Sequence, residues 1–155
     1  HVSKQNGNLL DVGCGRGDFL DYLYKNKFRK FKYVGIDQDK KIIDYAKKNH
    51  PNQKFIASDI LKNKISMFDY IFVSGMLNLK MPRHKKWREK IIFKLFKKTK
   101  HKLIFNLLSS YAPKKYKHLS YCKPIEIFKM VNKISKSIVI DHSYADHDFT
   151  VVIKK

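Results

Sequence analysis

The sequence predicts an α/β domain with a doubly wound, mostly parallel seven-stranded sheet and an antiparallel last strand. Strand-like and helix-like segments alternate along the chain. The strand-like segments are nearly continuous apolar runs, which is typical of parallel strands buried on both faces. The chain has 155 residues, 43% of them apolar, and a domain of about this size buries roughly 70% of its unfolded surface. A single domain that spans residues 1–155 is therefore expected.

Each predicted strand is a short apolar run bounded by polar, glycine or proline residues. The first run is followed at once by glycines, and the second ends at Asp37. The last two runs lie too close for a helix between them, so they must pair antiparallel, because a parallel connection needs about a dozen or more residues. The predicted strands are residues 8–12, 32–36, 54–57, 69–74, 103–108, 137–140 and 149–153.

Four segments carry apolar residues at the spacing of one helical face and are predicted as helices. Asp39 is expected to cap the second helix, and Pro51 marks its end. Proline opens the third and the fourth helix, in agreement with its preference for the first helical position. The inner face of the basic third helix is expected to consist of Trp87, Ile91, Ile92, Leu95 and Phe96. The predicted helices are residues 18–26, 39–49, 82–98 and 124–133.

The charge of the chain is strongly positive. Lys and Arg number 34 against 13 Asp and Glu, which gives a net charge of +21. Such a charge attracts anions, so nucleic acid, acidic sugars and anionic membranes are all open as partners. The lysines are scattered rather than collected in one block, which favours a solvated basic surface over a dedicated polyanion-binding tail.

Cysteine usage and hydropathy predict a reduced, cytoplasmic protein. Cys14 and Cys122 belong to no CxxC pair or metal-binding cluster. No apolar run approaches the roughly 20 residues that a membrane span needs, and the N-terminus has no signal-peptide core. No metal and no membrane span are expected, and the oligomeric state stays open.

The most informative stretch is Asp11-Val12-Gly13-Cys14-Gly15-Arg16-Gly17, which joins the first strand to the first helix. Glycines at such a turn permit positive φ angles and a close approach of a ligand to the backbone, and the helix start offers free N–H groups. Dinucleotide-binding turns have the spacing G-x-G-x-x-G, but the position of their third glycine is Asp18 here. The spacing therefore favours a nucleoside without a pyrophosphate.

Two carboxylates follow the next two strands. Asp37 ends the second strand and suits the two hydroxyls of a ribose. Asp59 follows the third strand, beside Ile60, where the pair suits an exocyclic amine and the face of an adenine. Ligands of open α/β sheets bind at this carboxyl edge.

These residues resemble a known family. Residues 11–17 are similar to the D-x-G-x-G-x-G signature of class I S-adenosylmethionine-dependent methyltransferases, which have a Rossmann-like fold. Residues 34–37, 57–60 and 68–75 resemble the next three motifs of the family in order, and residues 148–153 resemble its antiparallel last strand. The resemblance covers nearly the whole chain and implies that S-adenosylmethionine is the cofactor.

The resemblance also implies roles for individual residues. The turn, with Asp11, Gly13, Cys14, Gly15 and Gly17, would hold the methionine part of the cofactor. Asp37 would hold the ribose and Asp59 the adenine amine, while Gln38 and Ile60 would flank the adenosine. Ser74 and Gly75 would border the sulfonium and the acceptor. Alternatives stay open for four of them. Asp11 orients the turn through local hydrogen bonds, and Cys14 packs as a small apolar side chain. Asp37 and Asp59 act only as turn or cap residues.

Acceptor-binding groups are expected on three loops at the same edge. The loop of residues 74–83 carries Asn78, and the loop of residues 141–148 carries His142. His142 follows a strand that is expected to run parallel to the others, so it is the best candidate for a general base. His118 is a weaker one, because lysines surround it. The polar groups of the remaining loop, residues 109–123, are Ser109, Ser110, Tyr111, His118 and Tyr121.

The acceptor is not encoded in a recognisable motif. Residues 74–77 read Ser-Gly-Met-Leu, unlike the Asn-Pro-Pro-Tyr type of the amino-methylating DNA and glutamine enzymes. A carboxylate cluster for metal-dependent catechol methylation is also missing. We expect a polar small molecule as acceptor; a nucleic acid and a non-catalytic adenosine-binding module are the alternatives. A nicotinamide-dependent oxidoreductase is disfavoured by the glycine spacing.

The start of the chain bears on cofactor enclosure. Most proteins of the resembled family have helices before the first strand that close over the cofactor. About seven residues precede that strand here, so the domain is expected to lack an N-terminal lid.

Overall fold

The computed structural model describes residues 6–28 and 30–155 of the chain. These residues form one mixed sheet with helices on both faces, which confirms the predicted fold class. Residues 1–5 lie outside the described residues, and the expected absence of an N-terminal lid stays a prediction.

The sheet has the strand order β3-β2-β1-β4-β5-β8-β7, with β6 paired to the end of β5. All pairings among β1 to β6 are parallel, whereas β8 is antiparallel to both β5 and β7. The prediction of seven strands omitted β6, whose two residues are too few to produce a hydrophobic pattern. The strands are Gly7–Val12 (β1), Phe31–Asp37 (β2), Lys54–Ala57 (β3), Phe68–Val73 (β4), Thr99–Ser109 (β5), Tyr121–Cys122 (β6), Ile138–Asp141 (β7) and Asp148–Lys154 (β8).

Four helices and one 3-10 turn connect the strands. The second helix has the predicted cap, since Oδ1 of Asp39 accepts hydrogen bonds from the N–H groups of Lys41 and Ile42. The third helix begins two residues later than predicted, because Arg83 takes a left-handed conformation with φ of 55°. The helices are Asp18–Lys25 (α1), Lys40–Asn49 (α2), His84–Lys98 (α3) and Pro124–Val131 (α4), and the 3-10 turn is Met76–Asn78.

The sheet separates two hydrophobic clusters. Helices α1 and α2 pack on the face that contains Leu9 and Tyr33. Helices α3 and α4 pack on the face that contains Val12 and Phe105. Trp87, predicted on the inner face of α3, is half-buried, whereas Arg88 is 3% exposed. The guanidinium of Arg88 is accommodated because its Nη2 donates a 3.3 Å hydrogen bond to the carbonyl of Leu77.

The topology brings the loops after β1, β2, β3 and β4 to one edge of the sheet, because parallel strands end on the same side. Strand β7 also ends at this edge, since it and β5 are both antiparallel to β8. The expected direction of the strand before His142 is therefore confirmed.

Candidate active site

The glycine turn after β1 is fastened to the end of β2. The N–H groups of Gly13 and Cys14 both donate to the carbonyl of Ile36, at 2.8 and 3.2 Å. Gly13 has φ of 74°, and a Cβ atom there would lie 2.7 Å from Cβ of Met76. Gly15 has φ of 54°, and nothing lies within 4 Å of the position of a Cβ atom. The turn is thus closed at Gly13 and open at Gly15.

Asp37 lies beside this turn at the end of β2. Its Oδ2 accepts the N–H of Gly15 at 3.2 Å, and its Oδ1 accepts the N–H of Asp39 at 3.0 Å. A carboxylate oxygen has two acceptor positions, so each oxygen can accept a further hydrogen bond from a ligand. The half-buried side chain is therefore held in place without using its full acceptor capacity.

Asp59 lies in the turn that follows β3. Its Oδ1 accepts the N–H of Leu61 at 2.8 Å, so the side chain also stabilises the turn. The preceding residue, Ser58, donates its N–H to the carbonyl of Asp37 at 2.8 Å. The loops that carry Asp37 and Asp59 are thereby held together at the edge of the sheet.

A cleft of about 210 Å³ opens between these loops. Five residues predicted for the cofactor line it: Gly13, Asp37, Gln38, Asp59 and Ile60. The sequence-based prediction missed the opposite wall of the cleft. Two residues of this wall, Trp87 and Ile91, share one face of α3, and their helical spacing was a signal that could have found them. The missed wall consists of Met76, Leu79, Met81, Trp87 and Ile91.

Asp11 and Cys14 are buried beneath the turn, with 1% and 6% of their surfaces exposed. The hydroxyl of Tyr33 donates a hydrogen bond of 2.6 Å to Oδ2 of Asp11. Burial raises the pKa of Asp11 to about 7, against the opposing effect of the Tyr33 hydrogen bond and with smaller contributions from Asp37 and Asp18. Burial also raises the pKa of the Cys14 thiol, so this side chain is a neutral packing group.

Ser74 and Gly75 are exposed at the end of β4. The N–H of Gly75 donates to Oδ1 of Asn106 at 2.8 Å, and Nδ2 of Asn106 donates to Oδ2 of Asp148 at 2.7 Å. The sequence-based prediction named neither Asn106 nor Asp148 as a site residue, although Asp148 ends the predicted loop of residues 141–148. A signal for Asn106 existed, since it is the one polar residue within the apolar run of residues 103–108.

Several residues that were predicted to bind the methyl acceptor lie in the loops at this edge of the sheet. The side chain of Asn78 is 6% exposed, and its Oδ1 accepts the N–H of Leu108 at 3.0 Å. Oγ of the buried Ser109 accepts the N–H of Tyr111 at 3.2 Å. His118 is exposed, in a segment that pairs with the loop after the 3-10 turn. The contacts of Asn78 and Ser109 fix the shape of this edge of the sheet.

His142 is half-buried at the end of β7. Its ring packs edge-on against Phe149, with ring centroids 5.9 Å apart and an interplanar angle of 74°. Nε2 of His142 is buried and has no hydrogen-bond partner among residues 6–28 and 30–155. The ring is thus held in place, with one nitrogen buried and unpaired.

A comparison with known protein families shows to which family the chain belongs. The family described as "Methyltransferase domain" matches residues 3–149, which is nearly the whole chain. The chain belongs to this methyltransferase family. It is an S-adenosylmethionine-dependent methyltransferase domain, as the sequence-based resemblance implies.

Related proteins agree with this assignment. The Mycobacterium tuberculosis protein Rv1506c, named as a methyltransferase, is 30% identical over 158 residues, which cover 96% of this chain and 93% of the relative. The ribosomal RNA small subunit methyltransferase A of Mycoplasma mycoides is 36% identical over 83 residues, which cover 50% of this chain and 31% of that protein.

A solved structure shows the same fold. Magnesium protoporphyrin IX methyltransferase from Synechocystis PCC 6803, crystallised with bound S-adenosylmethionine, superposes with a TM-score of 0.76 at 15% identity. The match covers 99% of this chain and 72% of that protein.

The residues of the methyltransferase domain fit its cofactor. Asp37 has acceptor capacity for two hydroxyls, and the cleft between Ile60 and Trp87 has apolar walls for an aromatic base. The open side of the turn at Gly15 leaves room beside the backbone. Within residues 6–28 and 30–155, no group of three His, Cys, Asp or Glu side chains is arranged to hold a metal ion. In the same residues, no helix combines the length and the apolar character of a membrane span.

Proposed function

We propose that this domain transfers the methyl group of S-adenosylmethionine to a polar small molecule, such as a sugar or another metabolite. The observation that carries the proposal is the Gly75–Asn106–Asp148 chain of hydrogen bonds, which begins next to Met76 in the wall of the cleft. A fixed amide and a carboxylate suit an acceptor with hydroxyl or amino groups. A carboxylate at this place disfavours a phosphate group, because like charges repel.

The cofactor supplies an already activated methyl group, so the main contribution expected of the chain is to position the acceptor. We propose that the turn binds the methionine part at the open side of Gly15, that the buried Asp11 and Cys14 support the turn from beneath, and that Asp37 binds the ribose. Asp59 binds the adenine amine. The remaining proposed contacts come from Gly13, Gly17, Gln38, Ile60, Ser74 and Gly75.

His142 is proposed to contact the acceptor through Nε2, as a hydrogen-bond partner or as a base. Its position at the end of β7 and its unpaired buried nitrogen support this role. No metal takes part in the proposed reaction.

Calorimetry with S-adenosylmethionine, S-adenosylhomocysteine and NAD tests the cofactor part of the proposal. The two sulfur nucleosides are expected to bind and NAD to remain unbound, because a pyrophosphate meets Asp18 at the start of α1. Binding of NAD alone would remove the proposal. Transfer of an isotopically labelled methyl group to a small-molecule fraction then tests the acceptor part.

A nucleic acid acceptor is the second candidate, and the distribution of charge favours it. Glu89 is the one acidic residue between Asp69 and Glu126, whereas this half of the chain is rich in lysine. Tyr111 and Tyr116, on the loop after β5, are 65% and 48% exposed and suit stacking on bases. RNA binding that weakens steeply with salt would support this candidate; no retention of RNA at about 0.15 M salt would exclude it.

A further inference from the structure

Two buried polar atoms at the acceptor edge have no hydrogen-bond partner among the described residues. They are Oδ1 of Asp148 and Nε2 of His142. Buried polar atoms of folded proteins are nearly always paired, so each unpaired atom needs an explanation. Both lie at the ends of the short segment that joins β7 to β8. Asn106 connects Asp148 to Gly75, which directly precedes Met76 in the wall of the cleft. Their position indicates a place for a ligand with hydrogen-bonding groups of its own.

We propose that Asp148 and His142 bind the methyl acceptor, that Asp148 takes the proton of its reacting hydroxyl, and that Asn106 positions Asp148. This inference rests on the proposed function. Asp148 would accept the proton as the new carbon–oxygen bond forms, while the carbon–sulfur bond of the methyl donor breaks and its electron pair stays on sulfur. The carboxylate becomes a neutral carboxylic acid and returns its proton to solvent, and His142 orients the acceptor through Nε2.

The surroundings of Asp148 suit a proton acceptor. Burial raises its pKa, so the carboxylate holds a proton more readily than an exposed aspartate. The hydrogen bond from Asn106 opposes this rise and keeps the ionised form accessible. The backbone N–H of Phe149 and the nearby His147 and His142 also lower its pKa. The hydroxyl of Tyr144 interacts with Asp148 as well and lies 2.9 Å from Oγ1 of Thr150.

The same groups define the class of acceptor. One carboxylate, one imidazole and the half-exposed ring of Tyr144 offer hydrogen bonds and an aromatic face. An uncharged polyol or sugar hydroxyl fits this set, since such a group donates a proton to Asp148 and covers an aromatic ring with its C–H face. A phosphate next to the reacting oxygen does not fit, because Asp148 would repel it.

Carboxyl-carbon NMR of protein labelled at aspartate tests the role of Asn106 without any transfer reaction. Asp148→Asn identifies the signal, and Asp146→Asn, an exposed aspartate of the same segment, is the matched control. The titration midpoint of Asp148 is expected above the ordinary aspartate range, and Asn106→Ala should raise it further, because a hydrogen bond to the ionised form is lost. An ordinary midpoint that Asn106→Ala leaves unchanged would overturn the assignment.

A transfer assay with labelled methyl donor and a panel of monosaccharides and polyols tests the reaction itself. Asp148→Asn should lower kcat by about 100-fold or more, the usual contribution of a general base. Wild-type kcat should rise with pH through the midpoint seen by NMR, and Asn106→Ala should move that rise to higher pH. His142→Gln should mainly raise KM, and Asp146→Asn should match the wild type.

Each failure in the assay has its own meaning. Wild-type rates in Asp148→Asn, or no methylation of any sugar or polyol by the wild type, would overturn the inference while S-adenosylhomocysteine still binds. Loss of nucleoside binding by the wild type would instead refute the proposed function.

Discussion

The hydroxyl of Tyr33 donates a hydrogen bond of 2.6 Å to Oδ2 of Asp11, directly beneath the glycine turn. The two residues lie diagonally on adjacent strands, since Tyr33 is opposite Leu9 and Asp11 is opposite Gly35, and both are buried. The bond favours the ionised carboxylate, whereas burial favours the protonated one and raises the pKa of Asp11 to about 7. The charge beneath the turn therefore changes within the physiological pH range, which gives two predictions for stability.

The first prediction is a pH-dependent cost of ionising Asp11. The folded-state pKa of about 7 lies above the ordinary value of 3.8. Ionisation of Asp11 is therefore less favourable in the folded state than in the unfolded state, and it lowers the free energy of unfolding most above pH 7. Asp11→Asn removes this ionisation, and its stability relative to the wild type should increase from pH 4 to pH 8. The increase should reach at most about 4 kcal/mol, since each pKa unit corresponds to about 1.4 kcal/mol. Urea unfolding of both proteins across this range measures it, and a constant difference would contradict it.

The second prediction concerns the donor of the same bond. Tyr33→Phe removes the hydrogen bond and should destabilise the domain by about 1–3 kcal/mol, because a buried ionised acceptor loses its partner. The loss should be larger at pH 8 than at pH 5, where Asp11 is mostly protonated. Urea unfolding at the two pH values checks it. Tyr22→Phe, at a residue that is 57% exposed, is the control and should change stability little.

The third prediction tests the ribose contact of Asp37. Asp37→Ala should weaken S-adenosylhomocysteine binding by about 1–3 kcal/mol, the penalty for sugar hydroxyls that lose their acceptor. Calorimetry measures the affinity. Asp44→Ala, an exposed aspartate of α2 that pairs with Lys40, is the matched control and should bind as the wild type does. If the Asp37 and Asp44 variants bound S-adenosylhomocysteine with equal affinity, Asp37 would not be a cofactor-binding residue.

The wall of the cleft that contains Gly13 and Asp37 was predictable from the sequence, because its residues lie directly at the ends of strands. Gly13 follows β1 and Asp37 ends β2, and parallel strands place such residues at one edge whatever the details of packing. The wall that contains Met76 and Trp87 was missed because it belongs to a loop and a helix start, whose positions depend on tertiary contacts. The predicted inner face of α3 omitted Arg88 for the same reason, since its burial depends on acceptors outside the helix.

The pair of Asn106 and Asp148 was not predictable as a pair. The two residues are 42 positions apart and meet because β5 and β8 pair in one particular register. A shift by one residue would place either side chain on the other face of the sheet. The sequence marks Asn106 as unusual in an apolar strand, but only the register shows its partner.

The fourth prediction separates the structural glycine of the turn from the open one. Gly13→Ala places a Cβ atom 2.7 Å from Cβ of Met76 at a φ of 74°, so it should lower stability by more than Gly15→Ala does. Gly15→Ala has φ of 54° and open space around the new atom, so its stability cost should be limited to the left-handed conformation, about 1–2 kcal/mol.

The order of the two variants should be reversed for cofactor affinity. Relative to the stability that each variant loses, Gly15→Ala should lower cofactor affinity more than Gly13→Ala does. The open side of Gly15 is the side on which the methionine part is proposed to bind, so its new methyl group should lower S-adenosylhomocysteine affinity at least tenfold in a protein that remains folded. Thermal unfolding and calorimetry on both variants provide the comparison. A folded Gly15→Ala protein with unchanged affinity would show that the cofactor does not approach the turn at this residue, and Asp37 would then hold the nucleoside without help from the turn.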